Sequence, residues 1–349
     1  MASRPADEPP ESIVLAAFAG IRNTVSEERL STADLSAAVN VDIDDAGQLR
    51  RRRGFESRSN ANYHSLREIA GRHFVVKDGI LGTINPALTH TPLVAVGPDP
   101  LCYTRVGDVV FFSSRSASGK VVGDVVQPWG VTGGDGQWIS PVQTPTETLG
   151  LVAGKMLTAP PLATEIDYYK GRIYLAAGRW LWGTELYLYD LVDRTRNFVP
   201  FQDDITMLRA VEDGLYVGTT AQLLFLSGVM SDGLKMTVVV DSPVIAGSAV
   251  DVPLSKVHPQ ARQGPVPEGD APVFLTAAGI CLGLDGGQVY NLTDGRVVFP
   301  PAQRAAALYR EDQGANAYVA VADSGGSPNA NARIGDYVDA QIIRASQGG

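Results

Sequence analysis

The feature that most constrains this 349-residue chain is a recurring hairpin unit: a short apolar strand, an X-Gly turn, and a second strand followed by a small residue. It runs over His73–Thr83, Arg105–Ser113, Tyr168–Ala176, Ala210–Thr219, Val273–Gly283 and Leu308–Val321. The turns Asp78-Gly79, Gly107-Asp108, Lys170-Gly171, Asp213-Gly214, Asp232-Gly233, Gly279, Gly286-Gly287 and Asp294-Gly295 are hairpin signals, because tight turns between twisted strands call for positive φ. Strands are predicted at His73–Lys77, Val109–Ser113, Arg172–Ala176, Leu215–Thr219, Leu223–Leu226, Thr237–Val240, Val273–Thr276, Val289–Leu292, Ala317–Val321 and Val338–Ile343. Successive units start about 30 to 65 residues apart, near the roughly 40 to 50 of a four-stranded blade plus longer loops. Many short, regularly spaced strands suit a sandwich, a barrel or a propeller, and the repetition favours the propeller. The expectation is an all-β β-propeller of five or six blades, with Tyr337–Arg344 a candidate for the strand that closes the ring.

Two segments depart from the repeat. Residues 1–60 read as an irregular N-terminal arm, with short helical candidates at Ser26–Leu30 and Ser31–Val39, the second capped by Ser31 or Thr32. Residues 61–349 form the propeller, interrupted at 245–271 by a loop whose prolines (Pro253, Pro259, Pro265, Pro267) argue against a central strand. Composition agrees with a packed, heavily punctuated chain. Hydrophobic residues make up 44% and charged residues 19%, and 37 glycines and 22 prolines supply the breaks. No apolar run approaches the roughly 20 residues needed to cross a bilayer, so no membrane insertion is expected. The distant pair Cys102 and Cys281 reads as two reduced, buried thiols in a protein made in a reducing compartment.

Catalytic and metal-binding patterns are weak. His64, His73, His90 and His258 have no paired ligand at metal spacing, and there is no serine elbow, phosphate loop or dinucleotide fingerprint. Gly279-Ile-Cys-Leu-Gly283 imitates a cysteine elbow but belongs to a strand and turn of the repeat. Asp42-Ile43-Asp44-Asp45-Ala46-Gly47 starts like a calcium loop, yet the twelfth position is Arg53 rather than glutamate, which rules out an EF-hand. The plainer reading is a hairpin pairing Val39–Ile43 with Gln48–Arg52. Arg50, Arg51, Arg52 and Arg53 form the sole basic cluster, expected to meet a protein surface or Asp42, Asp44 and Asp45. Trp129, Trp138, Trp180 and Trp182 are not spaced as a repeated sugar platform. No cofactor, metal or catalytic residue is expected. The net charge of −9 speaks against a chain built to grip nucleic acid.

Gly20-Ile-Arg-Asn, Arg29-Leu30 and the run Ala38 to Phe55 resemble the N-terminal signature of the tail nozzle proteins of short-tailed bacteriophages, also called tail-hub or packaged-DNA stabilisation proteins. Tyr168–Ala176, Asp213–Thr219 with Phe225-Leu-Ser-Gly228, and Ala278–Thr293 are similar to that family too, so the resemblance runs from Gly20 to about Arg344. It implies a structural, non-enzymatic virion-tail protein assembled in the host cytoplasm. It implies a propeller platform in a homo-hexameric ring beneath the adaptor or portal-proximal tail protein, closing and extending the DNA ejection channel and presenting sites for tail fibres or a needle. The chain is short for the family, so tip or fin domains are expected to be reduced or absent. Genomic DNA would pass without tight binding, since an acidic wall repels it. Candidate channel or rim acids are Asp203, Asp204, Glu212 and Asp213. The arm, with Arg50–Arg53, Asp42 and Asp44, and the 245–271 loop are candidates for neighbour and adaptor contacts. A tail-fibre or receptor-binding module and a propeller enzyme acting on glycans are the alternatives.

Overall fold

The computed structural model describes residues 17–38, 41–43, 47–51, 59–130, 157–256, 269–312 and 315–323. Within them the chain is a five-bladed β-propeller, each blade an antiparallel sheet of four strands. The first strands begin the blades at Tyr63–Ile69, Cys102–Val106, Glu165–Tyr169, Ile205–Ala210 and Val250–Pro253. They sit side by side at the axis. A two-stranded sheet follows blade 5, made of Arg304–Asp312 and Ala315–Asp323 and called here the C-terminal hairpin.

Strand alternation builds the ring. Successive side chains point to opposite faces of a sheet, so each blade can feed two neighbours. In blade 3, Ile173 and Leu175 pack against Phe111 and Trp129 of the blade 2 side, while Tyr174 and Ala176 pack against Leu215, Val217 and Leu226 of blade 4. Blade 4 repeats the device, with Tyr216 turned toward Phe274 and Cys281 of blade 5. Blade 5 in turn presents Val273 and Leu275 to Tyr318, Ala320 and Ala322 of the C-terminal hairpin. Each fully buried Leu, Ile or Phe contributes roughly 1.5–3 kcal/mol, so these seams are the main source of cohesion.

Most expected strands and turns are present. Val109–Ser113 is a strand with those bounds, and Asp78-Gly79 and Lys170-Gly171 have positive φ at both residues. Asp213-Gly214 does not take positive φ. Its glycine is needed for space, because a Cβ there would lie 2.3 Å from Phe225 Cζ and 2.7 Å from the Leu226 carbonyl oxygen. The hairpin units occupy different places in their blades. Arg105–Ser113, Tyr168–Ala176 and Ala210–Thr219 join first to second strands, whereas His73–Thr83 and Val273–Gly283 join second to third. This shift of frame explains their uneven spacing.

Two expectations are corrected. The 245–271 stretch contains the strand Val250–Pro253, paired with Asp270–Thr276. Pro253 is tolerated because this strand is the inner edge of its sheet and the proline is its last residue. Of the two helical candidates, Ser26–Leu30 yields only a 3-10 turn at Glu27–Arg29, and Asp34–Leu35 of the second is a strand parallel to Gly20–Ile21. Tertiary partners override the helical pattern there. Arg296 reaches Asp34 at 2.8 Å and the Ala19 carbonyl at 3.1 Å, and Asn23 exchanges two hydrogen bonds with the backbone of Val298. Val338–Ile343 and Tyr337–Arg344 lie outside the described residues.

Candidate functional site at the propeller axis

The inner ends of the seams are charged. Glu165 and Asp167 lie two apart on the first strand of blade 3, where Arg209 of the blade 4 first strand meets Glu165 and the neighbouring Ala210 amide meets Asp167. Arg209 lies 3.0 Å from Glu165 and 3.6 Å from Asp251 of blade 5, and donates to the carbonyls of Leu208 (2.7 Å) and Ala249 (3.2 Å). Asp251 also pairs with Arg67 of blade 1 at 2.6 Å, which ties the last full blade to the first. Asp167 accepts from the amides of Ala210 (2.7 Å) and Tyr168 (2.8 Å), with the Thr104 hydroxyl of blade 2 at 3.5 Å. All five blades therefore contribute to one network through their innermost strands.

Burial dominates the electrostatics. It pushes Asp167 up to about 6, with repulsion from Asp251 adding to the shift and Arg209 and the two amides opposing it. Burial raises Glu165 as well, partly countered by Arg209. Arg209 itself is held cationic: burial alone would lower its pKa, but Glu165, Asp251 and Asp167 together raise it. The nearby Cys102 thiol is driven well up by burial and by Glu165, so it stays protonated and is a poor nucleophile. Charges so thoroughly engaged with one another act as a clasp between blades.

The four acids singled out in the sequence fall elsewhere. Asp203 and Asp204 lie in the link that enters the first strand of blade 4, and Glu212 and Asp213 in the turn that leaves it. The six-residue strand between them spans about 20 Å, so the pairs sit on opposite faces of the propeller. Asp213 accepts from the Gly286 amide at 2.8 Å, and the Glu212 amide donates to Asp285, so this pair links blades 4 and 5.

Asp42 and Arg50 are cross-strand partners in the expected hairpin, observed as Val41–Ile43 with Leu49–Arg51, and Asp42 also meets Arg310 at 3.2 Å. Arg51 is exposed, while Asp44, Arg52 and Arg53 lie outside the described residues. The described arm is thus docked on its own C-terminal sector. Sequence reasoning missed Arg67, Glu165, Asp167, Arg209 and Asp251. Their available signal was charge alternating with apolar residues in the first strands of the blades.

Two tryptophans that the spacing kept apart from any platform are neighbours in space. Trp180, Trp182 and Phe198 form one partly exposed cluster with ring centroids 5.4–6.2 Å apart, and Arg194 stacks over Trp182 at 4.7 Å. No group of three or more His, Cys, Asp or Glu suited to a metal ion occurs among the described residues. No helix among them is long and apolar enough to cross a membrane.

Fold and site together define the class: a β-propeller whose centre is filled by paired charges. No family model matches the chain, and no curated protein matches it. Among solved structures it is similar to the extracellular domain of a hybrid two-component system from B. thetaiotaomicron, at 10% identity and a TM-score of 0.45, covering 78% of this chain and 33% of that one. It is also similar to an auxiliary nutrient binding protein from Bacteroides thetaiotaomicron, at 9% identity and 0.40 over 72% and 64% of the two chains. A third is Saccharomyces cerevisiae Sqt1, at 13% identity and 0.38 over 72% and 65%. The chain spans between one third and just under two thirds of the length of these structures. At such identities and scores, none of them bears on function.

Proposed function

We propose that this chain is a structural virion protein, a tail nozzle that closes and extends the DNA ejection channel beneath the adaptor. The observation that carries the reading is the clasp: it makes the propeller a rigid block rather than a pore or an open catalytic cleft. A duplex whose major groove alone is about 12 Å wide has no path through an axis bridged at 2.6–3.6 Å. In this reading the channel runs between copies in a ring, six in the family it resembles, with each propeller forming a wall segment. An excess of nine acids suits a wall that DNA must slide past. Fibres or a needle would attach to the outward faces.

Imaging of the assembled particle tests this. Six copies around the tail axis are expected, and copies confined to peripheral fibres would overturn the reading in favour of a receptor-binding module. Tight duplex binding by the isolated protein at physiological salt would remove the passive-conduit role. The convergence of Glu165, Asp167 and Asp251 at the axis is the one observation that favours a glycan-active enzyme. Carboxylates working on a sugar must be free to reach it, whereas Glu165 and Asp251 are paired with arginine and Asp167 is tied to backbone amides. Release of reducing ends from host polysaccharide would decide for the enzyme.

A further inference from the structure

We infer that the C-terminal hairpin is the inner half of a sixth blade, and that the chain's own Tyr337–Arg344 adds to it as the next strand outward, along the outer edge of Ala315–Asp323.

The hairpin joins blade 5 much as one blade joins the next. Arg304 bridges Ala246 in parallel, in the link that enters blade 5, and the Ala305 amide donates to the Ala246 carbonyl at 2.8 Å. Gly247 permits this close approach, because a Cβ there would strike the Ala305 carbonyl oxygen. The Tyr318 hydroxyl donates to the Ser248 carbonyl at 2.6 Å. Arg304–Asp312 therefore stands where a first strand belongs, beside the entry to blade 5, and Ala315–Asp323 stands where a second strand belongs.

That position accounts for the residues found there. Ala317-Tyr318-Val319-Ala320-Val321-Ala322 is a run of six apolar residues with no charge, proline or glycine. Continuous apolar runs mark strands that are covered on both faces. The second strands of the blades are of this kind: Gly214–Thr219 of blade 4 is buried throughout, as are residues 172–176 of blade 3. In the hairpin only the face toward blade 5 is closed. Val321 is 40% exposed, and among the described residues no further strand lies along the outer edge. A long apolar edge left open is a template for pairing with other chains, so folded proteins cover it.

The chain itself supplies the cover. Residues 324–349 follow directly from the edge strand, and within them Val338, Ala340 and Ile342 alternate with Asp339 and Gln341, the pattern of a strand covered on one face. The 13 residues 324–336 suffice for the return, since blade 3 joins its third and fourth strands through the 14 residues 184–197. Blade 1 has no vacancy for such a strand as a ring closure, because its four strands all come from residues 63–95. The hairpin, two strands short of a blade, does.

Hydrogen exchange on the full chain tests this. Alternate residues of an antiparallel strand turn to opposite edges, so about half of the amides in Ala317–Ala322 face outward. These are expected to exchange about a hundredfold or more slower than in an unstructured peptide, and to lose at least tenfold of that protection in Val338→Asp with Ile342→Asp. The amides facing Arg304–Asp312 should keep theirs. As a second measurement, Val321→Cys combined in turn with Val338→Cys, Ala340→Cys or Ile342→Cys should give an intrachain disulfide in at least one pairing under mild oxidation. Cys281 is buried and Cys102 bonded within the fold, so background is low. Fast exchange of the outward amides in the unsubstituted chain would overturn the inference. So would protection that survives both aspartates, which assigns the edge to another segment, or protection that rises with protein concentration, which assigns it to a second copy. If the aspartate variant does not fold, the disulfides decide, and their absence from all three pairings overturns the inference. None of these outcomes depends on where the protein sits in a particle.

Discussion

The seam between blades 3 and 4 has two parts that solve the same packing problem differently. Along most of its depth Tyr174, Ala176, Leu215, Val217 and Leu226 meet as a dry apolar layer. At its inner end Glu165 pairs with Arg209 and Asp167 accepts from the Ala210 amide, so charges are buried there. The apolar part is non-directional, so it stabilises any arrangement that buries area. The charged part is directional. It is satisfied only when the first strands of blades 1, 3, 4 and 5 are in register, and its contribution lies more in the penalty for misalignment than in net stability.

Removing one side of the charged part should produce the largest effect. Arg209→Met leaves Glu165 and Asp251 facing each other without their shared cation, and a loss of about 3–5 kcal/mol is expected in urea denaturation. A loss below about 1 kcal/mol would show that the clasp contributes little to the fold. Leu215→Ala, in the apolar part, removes a fully buried side chain and is expected to cost about 2–5 kcal/mol, depending on how far the seam collapses. The two losses should add less than fully when combined if both parts report on one seam.

The pH response separates the parts more sharply. The folded value of Asp167, about 6, lies above its ordinary 3.8, so its charge opposes folding above pH 6 and this opposition is relieved as pH falls toward 3.8. Lowering the pH from 7 to 5 should therefore stabilise the protein, by on the order of 1–2 kcal/mol from this group, against the usual acid trend. Asp167→Asn should flatten the difference between urea midpoints at pH 5 and pH 7, while Leu215→Ala should leave it unchanged. The smallest effect is expected at the rim of the clasp. Arg67 and Asp251 are 38% and 28% exposed, so Arg67→Gln should cost no more than about 1 kcal/mol, and less in high salt. Loss of ring closure on that change, seen as rapid hydrogen exchange in blade 1, would move the weight of the clasp from Arg209 to Arg67.

How far the residues alone revealed this arrangement depends on the range of the interaction. Val109–Ser113 and the Lys170-Gly171 turn were readable because alternation and turn preference act over a few neighbouring residues. Val250–Pro253 was hidden: its prolines suggest a loop, and only its place at an inner sheet edge makes Pro253 acceptable. Frame was hidden too. The same hairpin unit serves as first and second strands in blade 4 and as second and third in blade 5, and nothing local distinguishes them.

The candidate site was the least readable part. Asp203, Asp204, Glu212 and Asp213 stand out in sequence because they are paired in turns, yet one strand length separates the pairs in space. Arg67 and Asp251 are 184 residues apart and meet at 2.6 Å. By itself the sequence determined an all-β chain of short, turn-punctuated strands with too little charge to be anything but packed. Which strands lie innermost, and which of their charges meet, was decided by closure of the ring, because only closure brings residues from all five blades into one small, water-poor volume.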